Sequence, residues 1–304
     1  MNVFTLAADP VGHVINHKFI TDGATWLWSA HMGNLIIAGV LTIGVLWWAA
    51  KHIGTGTTGE GADRYVTSNP FAHMIEVICT YLRDETVRPL LGDRTDKFMP
   101  YLWTLFFFIL INNLLGLIPV IDALHLIVPD WKKSHAAPFG GTATQNIYVT
   151  ACLAIISALV INAAGLKELG VGGYLKHLTA ETPWYLWPLM IPIEIVGTVI
   201  KPVALAIRLF ANMTAGHILM AVLFSFAGVG IAMVSGDKGG GALIGGSVTV
   251  VSTIAAIAIF FLELFVAFLQ AFVFMFLTTV FISQLAHHGD HEHHEGHDHE
   301  HAHA

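Results

Sequence analysis

Two uninterrupted apolar stretches constrain the fold of this chain more than any other feature. The first runs from Pro183 to about Val234, and the second from about Gly245 to Ala286. As helices rising about 1.5 Å per residue, both are much longer than the roughly 30 Å hydrocarbon core of a bilayer. Neither contains a polar turn that would divide it into two spans. We therefore predict two long, strongly tilted membrane helices, joined by the glycine-rich turn at 235–246.

The composition indicates that the rest of the chain also lies largely in a membrane. Of the 304 residues, 55% are hydrophobic and only 12% are charged, whereas soluble domains carry about 25% charged residues. No glycine-rich phosphate loop is present. The sequence thus predicts a membrane protein without a catalytic site, cofactor or nucleic-acid partner of its own, so that any nucleotide chemistry would lie on other chains.

The predicted fold class is an all-α polytopic membrane protein with five crossings and one interfacial helix. An outer N-terminal segment (1–24) precedes a single membrane domain (25–286), and a His-rich tail (287–304) follows. The crossings are predicted at about 25–50, 98–120, 144–165, 183–234 and 245–286.

The segment at about 69–91 is amphipathic and too charged to span the bilayer. Apolar residues such as Phe71, Ile75 and Leu82 recur at helical spacing, while the opposite side carries residues such as Glu76 and Arg83. This pattern is typical of a helix that lies along the membrane interface. An ordinary helix packed on the other spans is an alternative that fits equally well.

The tail alternates His with Asp and Glu, and we expect it to be disordered. His-rich tracts bind divalent metals, and here we expect adventitious or buffering binding. A weak dedicated metal site is the alternative. The residues concerned are His287, His288, His291, His293 and His294.

Lysine and arginine in the connecting segments predict the orientation, because cytoplasmic loops are enriched in them. With five crossings, the side that includes 51–97, 166–182 and the C-terminus holds eight such residues, against four on the other side. The C-terminus is therefore predicted in the cytoplasm and the N-terminus outside.

Arg208 is the residue that points most directly to a function. Its guanidinium keeps its charge in proteins, and a charge inside the bilayer costs at least about 2.5 kcal/mol. Such a residue needs a partner, but the nearest carboxylate on its own helix, Glu194, is four turns away. A carboxylate on another membrane chain would meet this need and would lose its proton beside the cation.

The other polar residues of the two long helices form one stripe on each. Glu194, Lys201 and Arg208 share a face at about 100° per residue. On the last helix, Glu263 and Gln270 lie two turns apart. An antiparallel pair of helices would bring the two stripes together, including the two remaining members of the first stripe, Asn212 and His217.

Titratable groups at different depths, separated by a permanent cation, are the parts of a proton relay with an electrostatic barrier. For several of these residues, a purely structural role is an alternative. His217 and Glu263 could form a buried hydrogen-bonded pair, and Lys201 could extend to the interface. Asn212 and Gln270 could simply join the two helices.

Three motifs in this order resemble the a subunit of the F-type ATP synthase, over about residues 69–286. The most specific is LAIRLFANMTAG (205–216), preceded by Ile193-Glu194 and Lys201-Pro202. The others are ELFVAFLQAFVF (263–274) and NNLLGLIP (112–119).

The resemblance implies a stator subunit beside a rotating ring of c subunits, with a b-subunit peripheral stalk and the remaining synthase subunits as partners, in a bacterial inner membrane. It implies that Arg208 faces the ring and prevents a proton short-circuit. His217 and Glu263 match the outer half-channel and Glu194 the cytoplasmic one. Asn212 and Gln270 match polar positions near the arginine.

One departure stands at Thr144, where the family often carries Asp. Two other functions compete with the stator subunit. A self-contained transporter would bind an anionic substrate at Arg208, but such folds usually show internal repeats, and none is evident here. A purely structural assembly subunit would leave the polar stripes without a use.

Overall fold

A computed structural model describes most of the membrane part of the chain. Backbone is described for residues 18–22, 25–53, 67, 69–118, 142–178, 184–236 and 241–298. Side chains are described for residues 29–53, 67, 69–118, 142–167, 185–193, 196–197, 200–235 and 241–284.

A short antiparallel hairpin precedes the first helix. Strands β1 (Lys18–Asp22) and β2 (Thr25–Ser29) pair, with Asp22 opposite Thr25. Helix α1 (Ala30–His52) follows directly. The sequence had placed the start of this helix at about residue 25. Thr25, Trp26 and Trp28 are of types that favour strands, which explains why the helix begins five residues later.

Helical structure is nearly continuous from Pro70 to Leu117. Helix α2 (Pro70–Tyr81) passes through a π-helical segment (Leu82–Val87) and a short α3 (Arg88–Leu91). A single 3₁₀ turn (Gly92–Arg94) then leads into α4 (Thr95–Leu117). The amphipathic segment predicted at 69–91 is therefore not separated from the next helix by a loop. Its position along the membrane interface stays a prediction.

Helix α5 (Ile147–Leu178) follows a 3₁₀ turn at Ala143–Gln145, and a second 3₁₀ turn (Trp184–Leu186) leads to the long pair. The pair consists of α6 (Trp187–Gly236) and α7 (Gly241–Asp298). Both helices are unbroken, although α6 contains Pro192 and Pro202.

The backbone of α7 differs from the prediction at its C-terminal end. Disorder was predicted from residue 287, whereas the helix continues to Asp298. Extending an existing helix avoids the cost of nucleating one, and residues 285–298 contain no proline. Side chains beyond Gln284 lie outside the described residues, and with them the five histidines named as a weak metal site.

Five helical segments are long and apolar enough to cross a membrane, which confirms the predicted all-α polytopic fold class. They are Ala30–His52, Pro70–Leu117, Ile147–Lys167, Ile200–Ser235 and Gly241–Gln284. Only a small part of the last two spans, Ile200–Ser235 and Gly241–Gln284, is buried within the chain. Much of the surface of α6 and α7 is therefore left for lipid or for another membrane protein.

The chain packs as two compact units, 1–39 with 109–150 and 207–270, and 40–108 with 151–206 and 271–304. In the second unit, the Arg83 guanidinium pairs with Asp96 Oδ1 at 2.7 Å, and Ser283 Oγ donates to Leu90 O at 2.7 Å. These contacts join α7 and the α2–α4 region within that unit.

In the first unit, the last part of α6 approaches the first part of α7 closely. A Cβ atom added at Gly245 would lie 2.7 Å from Gly230 O and 2.8 Å from Met233 Cβ. Added at the neighbouring Gly246, it would meet no atom within 4 Å. The close approach of the two helices therefore depends on glycine at 245 but not at 246.

We expect Gly245→Ala to destabilise the protein by about 1–3 kcal/mol, because the added methyl group overpacks the helix contact. The matched control is Gly246→Ala, which should be neutral or stabilising by up to about 1 kcal/mol, since alanine favours helix. Thermal unfolding of the purified protein in detergent measures both. Equal effects of the two substitutions would contradict the packing described.

Candidate functional site

Arg208 lies on an exposed face of α6. The side chains of Leu205 and Leu209 are buried, whereas Arg208 and its neighbour Ile207 are exposed. Among the described residues, no carboxylate lies within ion-pair distance of the guanidinium, and no hydrogen bond to it is made. The cation thus faces outward from the chain, without a partner in the described part.

One turn along α6, Asn212 joins the two long helices. Its Nδ2 atom donates to Gln270 Oε1 on α7 at 3.0 Å. Gln270 is 2% exposed, while Asn212 is exposed like Arg208. The bond brings the two predicted polar stripes together, and it is also the contact expected if these residues only join the helices.

Glu263 and His217 lie further along the same pair of helices. Glu263 is 9% exposed, and its carboxylate lies where a Cβ atom at Gly216 would be, so the glycine gives it room against α6. His217 is half-buried, and its Nε2 atom lies 2.6 Å from Thr142 Oγ1. No hydrogen bond joins His217 to Glu263 among the described contacts, in contrast to the hydrogen-bonded pair considered above.

A group of amides and hydroxyls packs beside these residues, and the sequence did not predict these contacts. Asn113 is fully buried; its Oδ1 accepts from Thr144 Oγ1 at 3.0 Å, and its Nδ2 donates to Ala267 O at 3.4 Å. Gln145 Nε2 donates to Met213 O at 3.4 Å. The available signal was two polar clusters in apolar context, at 112–113 and 142–146.

The two remaining residues of the predicted site lie in the other unit. Lys201 Nζ donates to Gln284 Oε1 at 3.4 Å and lies 5.1 Å from the centre of the Phe281 ring. Lys201 therefore has partners on α7. The backbone of Glu194 belongs to α6, but its side chain lies outside the described residues.

The chemistry of the first unit is that of proton exchange. A carboxyl and an imidazole, both of which bind and release protons, lie beside hydroxyls and amides that can donate or accept hydrogen bonds. Among the residues whose side chains are described, no cluster of His, Cys, Asp or Glu fits a metal ion. A permanent cation, Arg208, stands on the same helix as the imidazole.

Comparison with known proteins gives consistent results. The family model of the ATP synthase A chain matches residues 32–283. ATP synthase subunit a 2 of Chlorobaculum tepidum is 36% identical over 298 residues, which cover 93% of this chain and 76% of the relative. ATP synthase subunit a of Chloroherpeton thalassium is 34% identical over 295 residues (93% and 78%). That of Anaeromyxobacter dehalogenans is 36% identical over 296 residues (92% and 68%).

The fold and the site define a polytopic membrane protein with an arginine, an imidazole and a carboxyl group on one pair of long apolar helices. The chain belongs to the ATP synthase A chain family. This family comprises the proton-translocating stator subunits of the synthase membrane sector, so the functional prediction from the sequence is confirmed, and the self-contained transporter is not supported.

The buried Asn113–Thr144 pair generates a stability prediction. We expect Asn113→Leu to cost about 1–3 kcal/mol, because the fully buried Thr144 hydroxyl loses its acceptor. Adding Thr144→Val should recover part of this loss, since removing both partners leaves no unpaired hydroxyl. Thermal unfolding of the two variants tests this, and losses that simply add would contradict the pairing.

Proposed function

We propose that Arg208 faces the carboxylates of a rotating ring of c subunits and separates two proton paths. His217 and Glu263 belong to the path that opens outside, and Glu194 belongs to the path that opens to the cytoplasm. A proton could then cross the membrane only by riding on the ring. Proton flow would in this way be coupled to rotation and to ATP synthesis on other subunits.

The exposure of Arg208 without a described carboxylate partner is the observation that carries the proposal. An unpaired guanidinium facing lipid would be costly. A ring carboxylate brought beside it would be favoured in its ionised form. Each passing carboxylate would then have to release its proton before it reaches the arginine and take up a new one only after leaving it.

The surface around Arg208 suits contact with another helical protein. The exposed positions recur at helical spacing and are mostly apolar or small, at Val203, Ala204, Ile207, Ala211 and Ala215. Small residues let helix backbones approach closely in membranes. A ring of helices could therefore lie against this face with Arg208 and Asn212 as its polar centre.

The outer path draws support from the packing of the first unit. Glu263 is buried against α6, and the half-buried His217 is held by Thr142. The bond between Asn212 and Gln270 joins the two helices near the arginine. This arrangement would confine exchange with the outer solution to the side of Glu263 and His217.

Lys201 adds a second cation on the cytoplasmic side of Arg208 under the proposed orientation. Its bond to Gln284 holds it against α7. Together with Glu194, it would shape the electrostatics of the cytoplasmic path. The excess of lysine and arginine in segments 51–97 and 166–182 supports this orientation, with the C-terminus inside the cell and the N-terminus outside.

The partners follow from the same proposal. The chain would contact the c ring through α6 and α7, a b-subunit peripheral stalk through other surfaces, and the remaining synthase subunits indirectly. A bacterial inner membrane is the expected location, since the named relatives are bacterial proteins.

We expect Arg208→Ala to abolish proton-driven ATP synthesis while the complex still assembles, because the barrier between the paths is lost but no packing contact is removed. ATP synthesis by reconstituted vesicles under an imposed proton gradient measures the effect. The control is Arg88→Ala, which removes an exposed arginine whose ion pair with Asp84 is 3.7 Å long, and which should leave synthesis near the unmodified level.

Coupled synthesis at a normal rate in the assembled Arg208→Ala complex would rule out the proposed role. Loss of the complex itself would instead assign Arg208 to assembly.

A further inference from the structure

The side chain of Thr142 bonds a distant residue and not the turn that it begins. Thr142 begins the 3₁₀ turn at Ala143–Gln145, and a threonine in this position commonly bonds the free N–H groups of the turn. Here its side chain makes no such bond. Its hydroxyl lies instead 2.6 Å from His217 Nε2, although the two residues are 75 positions apart in the sequence.

The surroundings hold Thr142 in this position. The residue is 1% exposed. A Cβ atom at Gly116 on α4 would overlap the Thr142 side chain, so the α4 backbone packs directly against it. Only a residue without a side chain at position 116 leaves room for the threonine between α4 and the imidazole.

The bond leaves the two ring nitrogens of His217 in different situations. Nε2 is occupied by Thr142, while Nδ1 has no hydrogen bond within the described part of the chain. The neighbouring residue on α6, Gly216, packs against the carboxylate of Glu263. The bond at one nitrogen sets the tautomer and therefore the nitrogen at which protons are exchanged.

We propose that Thr142 is a positioning residue for His217: it accepts a hydrogen bond from Nε2–H in both protonation states and makes Nδ1 the nitrogen that takes up and releases protons. In the neutral ring, Nε2 carries the hydrogen and Nδ1 a lone pair. Uptake of a proton at Nδ1 gives the imidazolium without disturbing the bond to Thr142. Release from Nδ1 restores the starting state, so the ring need not turn during the cycle.

This inference rests on the proposed role of His217 in the outer path. Its test uses the complete ATP synthase in inverted membrane vesicles, with ATP-driven proton pumping normalised to the amount of assembled complex. Thr142→Val keeps the shape of the side chain and removes the hydroxyl. Thr142→Ser keeps the hydroxyl. The matched control is Thr150→Val, because Thr150 is also fully buried but bonds only Ile147 O in its own helix.

We expect Thr142→Val to slow pumping roughly fivefold, the equivalent of one hydrogen bond. Thr142→Ser and Thr150→Val should each pump at about the rate of the unmodified chain. In a chain that already carries His217→Ala, Thr142→Val should slow pumping no further, since a positioning residue acts only through the group it positions.

Gly116→Ala provides a second, steric route to the same effect. It keeps the hydroxyl but places a methyl group where Thr142 lies, and it should slow pumping in the unmodified chain but not in the His217→Ala chain.

A rate in Thr142→Val equal to that in Thr150→Val would overturn the inference, as would equal impairment of the serine and valine variants. Further slowing by Thr142→Val in the His217→Ala chain would assign Thr142 to packing instead. If His217→Ala alone leaves pumping unchanged, the role of His217 in the outer path fails, and the inference with it. If His217→Ala slows pumping but Thr142→Val does not, only the inference fails.

Discussion

Arg208 carries a permanent charge inside an apolar helix, and this charge must be met within the membrane. The guanidinium cannot lose its proton in a protein, and the described part of the chain offers it no carboxylate. It lies instead on an exposed, apolar face of α6. We propose that a second membrane protein meets this permanent charge, so that its approach to α6 is an electrostatic event as well as a packing one.

The polar residues around the arginine are held by contacts that differ along the helix pair. Close to it, an amide bond between Asn212 and Gln270 joins α6 to α7. Further along, Gly216 admits the carboxylate of Glu263, and Thr142 reaches His217 from the turn before α5. A glycine thus makes room for the buried Glu263 and a hydroxyl holds the half-buried His217, while the arginine lies at the surface.

The two long helices, their polar faces and the exceptional position of Arg208 can be predicted from the sequence, because the signals for them are local. The lengths of the two apolar stretches are enough to predict α6 and α7, and their polar residues share faces that follow from helical periodicity alone. The anomaly of Arg208 is equally local, since one charge in a long apolar run needs no tertiary information to be noticed. The contact of Asn212 with Gln270 was expected from pairing two such faces.

The remaining features depend on contacts between distant segments or on competing local preferences. Thr142 and His217 are 75 positions apart, and nothing in either segment indicates the other. Thr25–Ser29 form a strand, although the first helix was predicted to begin at about residue 25. Tryptophans are typical both of a membrane boundary and of a strand, so these residue types did not distinguish the two. Likewise, the sequence predicted an interfacial helix ending at about residue 91 and a separate span from about residue 98, whereas helical structure runs almost continuously through this segment, with an ion pair between Arg83 and Asp96.

The most direct test of the central claim is a structure of the assembled membrane sector that shows what Arg208 faces. A carboxylate of the neighbouring ring should lie within about 4 Å of the guanidinium, the limit of an ion pair, or directly across the interface from it. An arginine that faces lipid, or that is paired with Glu194 of its own chain, would rule out the proposed role of Arg208.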